Sequence, residues 1–180
     1  MPAGTIPAPD QEAVNYVLHA ASERDVQFIR LWFTDILGTL KGLAITVDEL
    51  EEALVRGVTI DGSAIAGFAR SDESDMIAMP DPSTWQLLPW RPRENAVARM
   101  FCDLLRPDGQ PFEGDPRHVL RRNVERAAAL GFSYSVAPEI EHFFLRDANS
   151  VEPIDDGGYF DQTASDSGPD LRRETVLALE

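Results

Sequence analysis

The sequence predicts an α+β fold built from two units in succession. Apolar residues recur at helical spacing near residues 11–23, 46–57, 117–130 and 170–180. Between them, β-branched and aromatic runs read as strands at 26–33, 40–45, 76–79, 85–88 and 96–105. After the turn Pro107-Asp108-Gly109 the pattern restarts with a fresh helix start at Asp115-Pro116, which sets a boundary near residue 110.

Residues 1–9 are rich in Pro, Ala and Gly and read as a loose arm. Asp10 is suited to cap a helix over 11–23 whose inner face carries Ala13, Val14, Val17, Leu18 and Ala21. Val26 to Phe33 reads as a strand, Asp35-Ile36-Leu37-Gly38 as a turn, and Leu40 to Ile45 as the second arm of a hairpin. Thr46 with Glu49 forms a capping box for a helix that stops at Gly57. Val58-Thr59-Ile60 leads into a Gly/Ser/Asp-rich loop from Asp61 to Asp75, too polar to be core. Strands near 76–79 and 85–88 flank the turn Pro80-Asp81-Pro82-Ser83, and another runs over 96–105.

In the second unit, a helix over 117–130 ends at Gly131, and strands follow at 132–136 and 140–145. Residues 146–168 form a long Asp/Gly/Ser-rich loop, of a length that marks functional or disordered segments. The last stretch, Asp170 to Glu180, is helical in pattern with Leu171, Val176 and Leu179 apolar. It carries no Gly, Asn or Pro stop and sets carboxylates at the negative end of its dipole, so the second unit is expected to be incomplete.

Composition narrows the classes of function. The 180 residues hold 31 acidic against 16 basic side chains, a formal net charge of −15. Such a field repels nucleic-acid backbones and anionic membranes. The arginines are dispersed and Lys41 is the only lysine, so no basic stripe offsets it. Hydrophobic residues, at 43%, suffice for a packed core. The lone Cys102 lies in an apolar run and reads as a buried, inert thiol of a reducing compartment. The N-terminus has neither a basic cap nor an apolar h-region, and no run approaches a membrane span. A cytoplasmic protein is expected.

The sharpest local feature is Ala137-Pro138-Glu139-Ile140-Glu141-His142. On a strand, Glu139 and Glu141 would project from one face. Paired carboxylates suit a hard divalent cation such as Mg²⁺ or Mn²⁺, and equally suit an arginine bridge or plain solvent exposure. A second feature, Asp61-Gly62-Ser63-Ala64 through Gly67 and Arg70 to Glu73-Ser74-Asp75, places Asp61 either as a turn former or as a cation-binding residue or base. A third, Gly157-Gly158-Tyr159-Phe160-Asp161, joins two glycines to two aromatics, as in a turn or a backbone held close to a ligand. The sequence has no Walker-type loop and no dinucleotide fingerprint, and His19, His118 and His142 lack metal-ligand spacing. His142 reads as a structural hydrogen-bonder, and Trp32, Trp85 and Trp90 read as core.

Taken in register, these features resemble the glutamine synthetase family over nearly the whole chain, from about Arg24 to Glu180. Phe28 to Asp35 is similar to the family's first hairpin, and Asp61-Gly62-Ser63 with Glu73-Ser74-Asp75-Met76 to its first signature, followed by Met79-Pro80-Asp81. Pro138-Glu139-Ile140-Glu141 resembles its metal-binding strand, and Gly157-Gly158-Tyr159-Phe160 the loop after it. The resemblance implies an arm and helix over 1–23, a β-grasp domain over 24–108, and the truncated start of the catalytic α/β domain over 113–180.

It further implies an ATP-dependent ligase. ATP with Mg²⁺ phosphorylates the γ-carboxylate of glutamate, and ammonia then displaces phosphate. Glu139 and Glu141 would bind metal, Asp61 would attract ammonium and take its proton across a subunit boundary, and Tyr159 would wall the ammonium pocket. Identical subunits would assemble into rings, and this chain alone would be inactive. Departures are Ile60 and His142 where aromatics are usual, and Ala64 where a serine is usual. The loss of that hydroxyl opens a second possibility, a polyamine or other larger amine as acceptor. A non-catalytic assembly or regulatory relative is the reading from a different class.

Overall fold

A computed structural model describes residues 10–65, 75–161 and 168–179. The expected N-terminal arm, most of the 61–75 loop and residues 162–167 of the later loop lie outside the described residues. The chain divides into two compact units, Met1–Tyr134 and Ser135–Glu180.

In the first unit, α1 spans Gln11–Glu23, capped by the Asp10 carboxylate, which accepts the Glu12 N–H at 3.0 Å. Its Val14, Val17 and Ala21 are buried, as the helical spacing requires. Strands β1 (Val26–Thr34) and β2 (Leu40–Thr46) form the expected antiparallel hairpin. Asp35 is buried at the turn, where its Oδ1 accepts the Leu37 and Thr39 N–H groups at 2.9 Å each. The box residue Glu49 accepts the Thr46 N–H at 2.9 Å just ahead of α2 (Leu50–Arg56). Gly57, at φ +71°, ends that helix. A Cβ there would stand 2.4 Å from Ile77 Cγ2, so only glycine lets α2 turn directly into the sheet.

Strand β3 (Val58–Asp61) pairs antiparallel with β4 (Asp75–Pro80), and β4 with β6 (Ala96–Leu105). The short β5 (Gln86–Leu87) also borders β6, and β1 runs parallel to it, which gives the order β2-β1-β6-β4-β3. Ile29, Leu31, Leu50, Leu54, Met76, Met100 and Leu104 fill one core together with the inner residues of α1. Cys102 lies in it too, and burial pushes its thiol far up, so it is inert as expected.

After β6 the chain folds back and starts α3 (Pro116–Ala129). Asp115 is buried, with its carboxylate accepting the Leu104 N–H and the Arg117 N–H, each at 3.0 Å. Arg117 Nη2 donates to Asp81 and its Nη1 to Asp103 Oδ1 at 3.0 Å, while Arg121 Nη2 reaches Asp103 Oδ2 at 2.7 Å. Burial works to raise the Asp81 carboxyl, but the Ser83 hydroxyl and Arg117 overcome it and hold it below the usual range. Burial prevails at Asp115 and pushes its carboxyl up. Gly131, at φ +82°, closes α3, and the Phe132 N–H caps it on Ala127 O at 3.0 Å.

Three expectations need correction. The strands at 132–136 and 140–145 do not form. A strand must place its N–H and C=O groups on a neighbour, and among the described residues only the single bridge Leu145–Pro153 is made there. Trp90 is 61% exposed rather than core, and Trp32 sits on the outer sheet face against Phe101, 6.0 Å between centroids; Trp85 alone of the three packs on the core. His142 has no strand face to occupy and stacks edge-on against Phe144 at 4.8 Å. In the second unit α4 covers Gly168–Leu179.

Ile29 is fully buried on a strand paired along both edges. Ile29→Ala is expected to lower unfolding stability by about 2–5 kcal/mol, against about 0.5 or less for exposed Tyr16→Ala, as read by urea unfolding. Asp81 gives a pH signature. Its folded carboxyl lies below the ordinary value of 3.8, so its contribution is complete above that value and drains as pH falls through the lowered one. Asp81→Asn is expected to remove that part of the acid-side loss in thermal melts taken across the window.

Candidate functional site

The expected site residues fall in different units. Asp61 belongs to the first, while Glu139, Glu141 and Tyr159 belong to the second.

Asp61 closes β3 and is exposed. Its Oδ1 accepts both the Ser63 hydroxyl at 2.6 Å and the Ser63 N–H at 3.0 Å, which wraps the chain into a short turn over Gly62–Ala64. The turn-forming reading is therefore realised. The same bonds do chemical work, since the Ser63 hydroxyl and then its N–H hold the Asp61 carboxyl below the usual range. Oδ2 has no partner among the described residues. Across the ladder Asp75 stands opposite Asp61, so the open end of the β3–β4 pair presents two acidic residues. Such an end attracts cations.

Glu139 and Glu141 are exposed and lie on irregular backbone, not on the expected strand. Their carboxylates have the donor chemistry of a Mg²⁺ or Mn²⁺ ligand. Among the described residues, however, no group of three or more His, Cys, Asp or Glu is arranged to hold a metal ion, so these two would supply only part of a coordination shell.

Tyr159 is 91% exposed, with its ring 4.3 Å from that of Phe160, whose φ is +64°. Gly158 N–H bonds Asp161 Oδ2 at 2.9 Å and Gly157 N–H bonds Asp155 Oδ1 at 3.1 Å, so the two glycines make a tight turn. Tyr159 and Phe160 line an open groove of about 730 Å³ with His142, Asp155 and Arg172. The groove unites the glycine-aromatic segment with His142; Glu139 and Glu141 are not part of its lining. The sequence reading passed over the Asp81–Arg117–Asp103–Arg121 cluster, although Arg117 and Arg121, four apart on one helix, were a legible signal.

Residues 25–107 match the family model for the glutamine synthetase β-grasp domain, and residues 113–180 that for the glutamine synthetase catalytic domain. The chain is 52% identical over 171 residues to a glutamine synthetase of Mycolicibacterium smegmatis, covering 92% of this chain and 38% of that protein. A glutamine synthetase of Methanosarcina mazei is 51% identical over 168 residues, with 91% and 38% covered. A solved structure described as apo GmaS without ligand aligns with a TM-score of 0.66 at 25% identity, over 90% of this chain and 37% of that one. The Plasmodium falciparum glutamine synthetase cryoEM structure aligns at 0.59 and 23% identity over 71% of this chain and 24% of that one, a likeness of fold. The chain thus spans about 38% of the length of these curated relatives.

Ser63 lowers the pKa of the Asp61 carboxyl through its hydroxyl and its N–H. Ser63→Ala removes the 2.6 Å hydroxyl bond and is expected to return the Asp61 carboxyl toward 3.8, as followed by carbon NMR titration. An unmoved titration would show that the hydroxyl does not set it.

Proposed function

The chain belongs to the glutamine synthetase family, and from that membership we propose that it is the N-terminal part of an enzyme joining ammonia to the γ-carboxylate of glutamate. ATP is the co-substrate. Its γ-phosphoryl group passes to the glutamate carboxylate, and the amine nitrogen then attacks the resulting acyl phosphate. The C–N bond forms as the C–O bond to phosphate breaks, and the nitrogen sheds a proton. Residues 24–108 form the β-grasp domain and 113–180 open the catalytic domain.

The observation that carries this reading is the Asp61 carboxylate, exposed at a strand end, with one oxygen bonded by Ser63 and its pKa below the ordinary carboxylate range. A low carboxyl pKa makes Asp61 first an electrostatic trap for ammonium. It becomes a useful base once C–N bond formation has made the nitrogen far more acidic. Asp61 acts on the site of a neighbouring subunit, within a ring of identical chains. Tyr159 forms another wall of the amine pocket. Glu139 and Glu141 contribute to binding Mg²⁺ or Mn²⁺, which neutralises charge on the transferring phosphoryl oxygens when bound. The protein works in the cytoplasm, without nucleic-acid or membrane partners.

A larger cationic amine is the second acceptor to weigh. Asp61 suits any cationic amine, and Ala64 carries no hydroxyl to hold ammonium in a fixed place. Comparing kcat/KM for ammonia, small amines and polyamines on the full-length protein decides between them.

In the full-length enzyme, Asp61→Asn is expected to lower amine-dependent turnover by about 10²–10⁴-fold, and Glu139→Gln or Glu141→Gln to raise the Mg²⁺ concentration needed for half activity. The 180-residue chain alone is expected to show no turnover with ATP, glutamate and amine. Full activity in Asp61→Asn would sink the assignment, and an inactive full-length protein would favour the assembly or regulatory reading.

A further inference from the structure

Within this chain, which spans about 38% of its relatives' length, α3 is held to the sheet by polar bonds. It buries none of its own residues, and Val119, Leu120 and Val124 are 39%, 60% and 45% exposed. Here the attachment consists of directional polar bonds at the first turns. Asp115 fastens the helix start to the Leu104 N–H. Arg117 spans two elements, with Nη2 on Asp81 and Nη1 on Asp103, and Arg121 adds bonds of 3.0 and 2.7 Å to the two oxygens of Asp103. Asp81 is itself oriented by Ser83, whose hydroxyl donates to its Oδ1 at 2.6 Å. Exposed ion pairs contribute little, but Asp81 and Asp103 are only 20% and 19% exposed, and a guanidinium shared between two fixed carboxylates restricts angle as well as distance.

The two ends of this cluster belong to different parts of the chain. Asp81 and Asp103 lie within residues matched to the β-grasp domain, and Arg117 and Arg121 within those matched to the catalytic domain. Asp81 directly follows β4, and the first residue of β4, Asp75, is the ladder partner of Asp61. β4 therefore runs from the residue that Arg117 contacts to the ladder partner of the proposed amine-binding carboxylate.

We infer that Asp81, Asp103, Arg117 and Arg121 form a positioning latch that fixes the β-grasp sheet against the opening helix of the catalytic domain and thereby sets where Asp61 is presented. Directional bonds of this kind restrict orientation as well as separation. These residues touch no substrate, and their link to amine capture rests on the reading of Asp61 given above.

The test uses the full-length enzyme with Arg117→Met, Arg117→Lys and Arg121→Met. Hydrogen exchange is expected to quicken at the first turns of α3 in Arg117→Met while β1 and β6 stay protected. The KM for the amine is expected to rise roughly tenfold, with the KM for ATP and for glutamate changed by less than about twofold. Lysine keeps the charge but cannot span both carboxylates, so Arg117→Lys falls between wild type and Arg117→Met. Should Arg117→Met not fold, Arg117→Lys and Arg121→Met carry the same comparison with smaller shifts. Equal rises in all three KM values, or α3 exchange no faster than wild type, would overturn the latch. If Asp61→Asn leaves the amine KM unchanged, the reading of the site fails, and the exchange measurement still decides the latch.

Discussion

The first unit depends on β6. This strand is paired along both edges, in parallel with β1 on one side and antiparallel with β5 and then β4 on the other. One face of this strand packs on the core, so Ala96, Ala98, Met100, Cys102 and Leu104 all turn inward, and only at its end is Leu105 buried as well. The residues between them face the other way, where Arg99 lies 4.7 Å from the Phe101 ring. A slip of one residue would put Arg99 and Asp103 into the core and expose Met100 and Leu104. It would also carry Asp103 away from Arg117 and Arg121, so the register of one strand determines both the core and the polar attachment of α3.

Elements whose ends are made by local chemistry were legible in the sequence. Asp10, the Thr46–Glu49 pair, Gly57, Asp115 and Gly131 each act through bonds or dihedral angles within a few residues, and each has the expected role. The hairpin of β1 and β2 was legible for the same reason. The parallel pairing of β1 with β6 joins residues about seventy apart and leaves no local trace. β3 is too short to alternate visibly before the glycine-rich run begins. Trp90 misled because its size argues for burial while it follows Pro89 in a connector.

The candidate site divides along the same line. The geometry at Asp61 is local: a carboxylate, a glycine and a serine suffice to build the turn and to lower the carboxyl pKa. The alignment expected of Glu139 and Glu141 is not local. Alternation points two side chains the same way only when neighbouring strands hold the backbone extended. Among the described residues of the second unit no such neighbour exists, and Val136, Ile140 and Phe143 stand 75%, 79% and 83% exposed. Those apolar side chains carry the composition of a buried strand in a setting that does not bury them.

This contrast bears on how a composite site can be assembled. The turn at Asp61 and the lowering of its carboxyl pKa both come from residues within two positions of it. Glu139 and Glu141 stand on irregular backbone with no strand neighbour among the described residues to set their spacing. In the proposed role, what the Asp61 carboxylate still requires is placement, and placement is a matter of orientation. Apolar burial is poor at fixing orientation, since its energy varies little as surfaces slide. Arginine forks lose their bonds within a few tenths of an ångström or a modest change in angle. The bonds of Arg117 and Arg121 to Asp81 and Asp103 at the first turns of α3 are of that directional kind, and they fix the angle of the helix start on the sheet.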